Sequence, residues 1–154
     1  MKDMFHELDL LSRQLNQAHR SAVQWELNAA GLREVGHPML LTILESGEED
    51  APCHAQRDLA ELLHISPAAV ANSLKSLEKS GYIRREPGQR DARRNRVLLT
   101  EKGTRAVAGC RASFQRVSDR MMADFSPEEC QQLMKFMEKM LQNLLSSADS
   151  QIKE

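Results

Sequence analysis

Apolar residues recur at helical spacing along almost the whole chain. Between Asp3 and Ala29, Leu8, Leu11, Leu15, Ala18, Ala22 and Trp25 step by threes and fours, which predicts one long amphipathic helix. A second helix is expected from His37-Pro38, carrying Leu40, Leu41, Ile43 and Leu44. Gln56 to Leu63 places Leu59, Leu62 and Leu63 on one face of a third. After a tight turn at His64-Ile65, Ser66-Pro67 opens a fourth helix: an N-cap residue, then proline at the first helical position. Val70, Leu74 and Leu77 fall at i, i+4 and i+7 of it as a single stripe, and Gly81 stops it.

The period changes after Gly81. Tyr82–Arg85 and Arg96–Thr100 read as two strands around the turn signal Pro87-Gly88. Thr100 is suited to cap a fifth helix reaching about Asp124, and Ser126-Pro127-Glu128-Glu129 is the signature of a capping box that opens a last one. That helix repeats Leu133, Phe136/Met137, Met140/Leu141 and Leu144/Leu145, with a frayed tail expected beyond it. Two short helices joined by a tight turn suit a helix-turn-helix, and a hairpin behind the second helix is a wing. The fold class is therefore mainly α: a winged helix-turn-helix with a small β-hairpin wing and long N- and C-terminal helices.

Asp58-Leu59-Ala60, Leu77-Glu78-x-x-Gly81-Tyr82-Ile83, the loop's Asp91-x-Arg93 and Leu99-Thr100-Glu101-Lys102-Gly103 stand in order over about a third of the chain. With these pieces in this order and spacing, the chain resembles the MarR family of winged-helix transcription regulators. The resemblance implies a homodimer in which the first, fifth and sixth helices interlock about a two-fold axis. It divides the chain into 1–36 (N-terminal dimerisation helix and connection), 37–103 (DNA-binding winged helix), 104–147 (C-terminal dimerisation helices) and 148–154 (frayed tail). A two-fold dimer presents its recognition helices roughly 34–36 Å apart, one turn of DNA, so the expected partner is a pseudo-palindromic double-stranded operator.

The formal net charge of −1 looks wrong for a DNA-binding protein until it is divided by segment. Residues 57–105 hold eleven Lys/Arg against six Asp/Glu, a net of +5, and the remainder is correspondingly acidic. A local basic patch is what draws a phosphate backbone. Nothing in the 154 residues approaches the roughly 20 apolar positions needed to span a bilayer, and the N-terminus lacks a signal-peptide pattern. The widely spaced Cys53, Cys110 and Cys130 suit a reduced, cytoplasmic protein better than a disulfide framework. The chain has no glycine-rich phosphate loop and no nucleophile elbow, so an enzyme is not expected and no cofactor is implied.

With the stripe of the fourth helix turned inward, a 100° step puts Ala68, Asn72, Lys75 and Lys79 on the opposite face, flanked by Ala69 and Ser76. Asn72 suits adenine and Lys75 the acceptors of guanine; Ala68 and Ala69 suit thymine methyls. Ser66 and Ser73 are placed for phosphate, as is Lys79. In the wing, Arg90 follows the Pro87-Gly88 turn and suits the negative potential of a minor groove. The resemblance implies that the Asp91 carboxylate fixes the guanidinium of Arg93, which holds or enters the groove; Arg94 and Arg96 are placed for backbone contacts.

The sensing half is less legible. The resemblance implies release of DNA by a small, phenolic or anionic effector held between dimer lobe and winged helix, near Arg20, Trp25, His37 and Met39. Thiol oxidation is an alternative, centred on Cys53 in the insert Gly47–Ala55, where His54 favours thiolate and Glu48-Glu49-Asp50 opposes it. The histidines His6, His19, His37, His54 and His64 are scattered without metal-ligand spacing, so no metal site is expected. A different kind of molecule, a winged helix that docks protein and has no DNA target, would not need Arg85, Arg90, Arg93, Arg94 and Arg96 in one hairpin.

Overall fold

In the computed structural model, which describes residues 2–45, 56–87 and 95–151, the elements run α1 (Lys2–Ala29), α2 (Pro38–Glu45), α3 (Gln56–Leu63), α4 (Pro67–Lys79), β1 (Ile83–Pro87), β2 (Asn95–Leu99), α5 (Glu101–Met121) and α6 (Pro127–Gln151). The chain divides into two units, Met1–Val117 and Ser118–Glu154. The fold is the mainly helical winged helix that the pattern predicts.

Side-chain caps open α4, α5 and α6. Ser66 accepts from the Ala69 N–H at 3.1 Å with Pro67 behind it. Thr100 Oγ1 accepts from the Gly103 N–H at 3.0 Å. Ser126 and Glu129 form the reciprocal capping box, Glu129 Oε2 accepting from the Ser126 N–H at 2.8 Å and Ser126 Oγ from the Glu129 N–H at 3.2 Å. At the other ends, α1, α3 and α4 close alike: Leu32, Ile65 and Tyr82 donate five residues back to Leu27, Ala60 and Leu77, with Gly31, His64 and Gly81 at φ 72°, 52° and 80°. This is the Schellman closure, in which one left-handed residue satisfies two orphan carbonyls. Glycine fills the left-handed place twice; His64, from a residue type enriched among left-handed non-glycines, fills it in the helix-turn-helix. Each closure also brings an apolar residue (Leu32, Ile65 or Tyr82) against the core.

Several boundaries differ from the sequence reading. The hairpin register is Ile83↔Leu99 to Pro87↔Asn95, so each strand is displaced by one residue or more from its expected span. Thr100 lies just past the ladder, its N–H still donating to the Tyr82 carbonyl at 3.1 Å while its hydroxyl opens α5. Pro87 closes β1 instead of beginning the turn; a two-stranded hairpin tolerates proline because an edge position needs no N–H. α5 stops at Met121, short of Asp124, which itself takes a left-handed φ of 67°. α6 continues to Gln151, into the segment read as a frayed tail.

Within the first unit, Leu40 and Leu41 of α2, Leu59 of α3, Val70, Leu74 and Leu77 of α4, Ile83 of β1 and Val107 of α5 are sealed from solvent. Each such side chain stabilises the fold by roughly 1.5–3 kcal/mol relative to exposure. α5 turns small residues (Gly103, Ala106, Cys110 and Ser113) toward this core. At Gly103 the approach is so close that a Cβ would lie 1.9 Å from the Tyr82 carbonyl oxygen, so only glycine fits. Val23 and Leu27 bring the end of α1 to the same cluster. Buried Glu26 pairs there with Arg116 of α5, which also donates to Ser113 Oγ at 3.2 Å. In the second unit, α6 leaves Met134, Phe136, Met137, Met140, Leu141, Leu144 and Leu145 exposed.

Candidate nucleic-acid interface

The surface of interest is built on α4. Its stripe, Val70, Leu74 and Leu77, is buried to 1% exposure or less, which fixes the rotation of the helix. The 100° step then leaves Ala68, Asn72, Lys75 and Lys79 exposed on the outer face, with Ser76 exposed at its rim; Ala69 and Ser73 are half-buried toward the sides. α4 packs on α3 and on β1, so the outer face projects from a supported element.

Two of the serines have local duties. The Ser66 oxygen caps α4, so only its hydroxyl proton remains to meet a phosphate. Ser76 Oγ lies over Gly36 in the α1–α2 connection, where an added methyl would stand 3.5 Å away.

The wing follows the two-residue period of a strand. Ile83 is buried and Arg85 half-buried on the inner face, while Arg84 and Glu86 pair with each other on the outer face. Arg85 turns back to the helix it follows, Nε 3.3 Å from Glu78 Oε2. Arg96 stands opposite Glu86 in β2, though its side chain falls outside what is described. Arg90, Asp91, Arg93 and Arg94, the heart of the sequence-based wing assignment, lie outside the described residues, as does Cys53.

A junction that sequence reasoning did not anticipate joins wing, recognition helix and α5. Thr100 Oγ1 donates toward the carbonyls of Gly81 (2.6 Å) and Tyr82 (3.2 Å) while accepting from Gly103. Lys102 Nζ donates to the Ser80 carbonyl at 2.7 Å, where the α4 dipole is negative, and lies 4.5 Å from the centre of the Tyr82 ring. Burial foremost, then the charge of Glu34, pushes the Tyr82 hydroxyl above its ordinary pKa. The signal was present in Thr100-Glu101-Lys102-Gly103 following Gly81-Tyr82, but the sequence does not say that the two pieces touch.

The effector candidates fare differently. His37 is the cap of α2, its Nδ1 accepting from the Leu40 N–H at 3.2 Å ahead of Pro38. Arg20, Trp25 and Met39 are exposed on α1 and α2. Cys110 is buried in the core, and burial pushes its thiol up, away from the reactive thiolate; Cys130 is half-buried on α6. Among the described residues no helix is long and apolar enough to cross a membrane, and no cluster of His, Cys, Asp or Glu is placed to hold a metal.

Comparison with known proteins agrees with this geometry. The MarR family model matches residues 34–94, which run from the α1–α2 connection into the wing. A helix-turn-helix-type transcriptional regulator of Bacillus subtilis (strain 168), YdgJ, itself uncharacterised, is 31% identical over 105 residues. That match takes in 68% of this chain and 62% of the relative, so it spans less than two thirds of the relative's length. Among solved structures, Staphylococcus aureus MepR in complex with DNA superposes with a TM-score of 0.74 at 26% identity, over 87% of this chain and 94% of that one. The transcriptional regulator SlyA shares the fold with a TM-score of 0.72 at 23% identity, over 94% and 96% of the two chains.

Proposed function

Over its winged-helix region this chain belongs to the MarR family, and from that premise we propose that it is a homodimeric, sequence-specific DNA-binding transcription regulator. The observation that carries the reading is the outer face of α4: Asn72, Lys75 and Lys79 exposed together on a helix whose rotation is set by a sealed apolar stripe. Asn72 and Lys75 then read base edges from the major groove and Lys79 takes a phosphate. Ala68, Ala69, Ser66, Ser73 and Ser76 supply the closer contacts, and Arg90, Asp91, Arg93, Arg94 and Arg96 carry the wing into the minor groove. A face combining amide and ammonium groups favours nucleic acid over a protein-docking use of the same fold. The DNA-bound state of the S. aureus relative is further support.

Dimerisation is supported by the apolar faces of α1 and α6, left exposed within a single chain. The regulator acts in the cytoplasm as a repressor, occluding polymerase at a pseudo-palindromic operator until a small phenolic or anionic effector changes the spacing of the two lobes. The test is a fluorescence-anisotropy titration against the protein's own upstream intergenic DNA, with an unrelated duplex alongside at physiological salt. At least ~10³-fold tighter binding to the first establishes the specific regulator. Equal, weak binding to both removes the local operator and moves the protein-docking use forward.

A further inference from the structure

The wing is tied to the body of the domain by its inner face, where Val97 and Leu99 pack against the core. An isolated two-stranded hairpin is marginal by itself, so its orientation is set by whatever its inner face rests on. At the base, Ile83 is buried opposite Leu99. Two residues further out on the same face stands Arg85, opposite Val97, and beyond it Pro87 is already exposed. Arg85 and Val97, which packs against the core, are thus the outermost inward-facing pair among the described residues of the wing. An arginine there is unexpected: the position wants an apolar side chain. Its side chain is only 22% exposed, Nε and Nη2 are sealed from solvent without a hydrogen-bond partner among the described residues, and the charge is met by Glu78 of α4 at 3.3 Å.

We infer that the Glu78–Arg85 pair is a strut that sets the angle of the wing against the recognition helix, which makes both positioning residues for DNA binding. The inference rests on the DNA-binding reading given above. An apolar residue in place of Arg85 would fill the space and stabilise the hairpin, but it would leave the angle loosely specified. A guanidinium with unbonded, desolvated donors among the described residues is held toward the Glu78 carboxylate. Because the tie lies near the outer end of the ladder, a small change of angle at Arg85 becomes a larger displacement of the strand ends at Pro87 and Asn95.

The strut has a consequence opposite in sign to simple electrostatics. Glu78 is an acid on the recognition helix, so its neutralisation should strengthen DNA binding if charge alone mattered. The strut requires the reverse: Glu78→Gln weakens operator binding about tenfold, close to 1.4 kcal/mol, while the melting temperature is nearly unchanged. The swapped pair, Glu78→Arg with Arg85→Glu, recovers part of that loss. Tighter or unchanged binding by Glu78→Gln overturns the strut.

A second measurement works without DNA. Amide hydrogen exchange in the free protein should quicken across Ile83–Pro87 and Asn95–Leu99 in Glu78→Gln and stay constant in α1. Unchanged exchange in the hairpin overturns the strut whatever the protein binds. Quickened exchange in a protein that shows no operator preference upholds the strut and overturns the DNA-binding reading.

Discussion

Helices α4 and α1 carry the same kind of pattern, apolar residues at threes and fours, and meet opposite fates. In α4 the stripe is closed off, with Val70, Leu74 and Leu77 all at 1% exposure or below. In α1 it is bare: Leu11 is 60% exposed, Leu15 52% and Trp25 64%. α1 meets the core of its own unit by a different face, through Val23, Glu26 and Leu27. The lesson is that a stripe announces a helix and the face it will bury, but not what will cover it. Where the chain supplies the cover, the stripe stabilises a lobe; where it does not, the stripe is left for the second copy that the proposed dimer would supply.

The sharpest way to break that comparison is to charge the bare stripe. The double variant Leu11→Glu and Leu15→Glu should be monomeric in sedimentation velocity, retain its helical circular dichroism, and lose more than ~100-fold in operator affinity because the two half-sites are no longer bound together. A variant that remains dimeric would mean that α1 is not the interface. Next comes the sealed stripe. Leu74→Ala should lower unfolding free energy by roughly 2–5 kcal/mol in urea titrations through transfer and cavity effects. Leu8→Ala, in the bare stripe, should cost under ~0.5 kcal/mol at concentrations where the chain is monomeric. Similar losses for the two substitutions would erase the distinction drawn between the helices.

Smaller effects separate positions on the outer face of α4. Asn72→Ala should reduce operator binding by ~1–3 kcal/mol and relax discrimination at one base position. Lys79→Ala should weaken all sequences alike and flatten the salt dependence by about one phosphate. Both follow from titrations against operator variants at several salt concentrations, and an inverted pattern would exchange the two roles. The smallest effect concerns Cys110. Its folded thiol titrates above the ordinary value because burial disfavours the thiolate. In the window between the unfolded and folded values the native state keeps a proton that the unfolded state has lost, so stability falls as pH rises past about 8.5. Cys110→Ala should flatten that alkaline slope in denaturation curves, with Tyr82, also shifted upward, accounting for what remains. An unaltered slope would mean that the thiol does not contribute.

Legibility followed the range of the interactions involved. Caps are written within four residues, so Ser66, Thr100 and the Ser126–Glu129 box could be read directly from the chain. Gly81 was legible for the same reason. The His37 cap was missed although Pro38 behind it is the same local signal that revealed Ser66; a ring nitrogen is a rarer cap than a hydroxyl. The strand ends slipped because Pro87 and Thr100 each had two plausible local uses, and tertiary contacts chose between them. The outer face of α4 was readable from periodicity because burying one face of a helix dictates its opposite.

What remained hidden depended on contacts between distant segments. That Lys102 reaches the Ser80 carbonyl, that Glu26 is buried against Arg116 across ninety positions, and that Arg85 turns back to Glu78 are facts of packing that no periodicity encodes. The sequence by itself determined the element types, their caps, the apolar stripes and the basic character of the region around the wing, since each depends on neighbours within a turn or a strand. Only the tertiary structure decided which stripe is covered, where α5 meets the α4–wing corner through Gly103, and which arginines are held by acids. Those outcomes depend on the distance between residues that the chain keeps far apart.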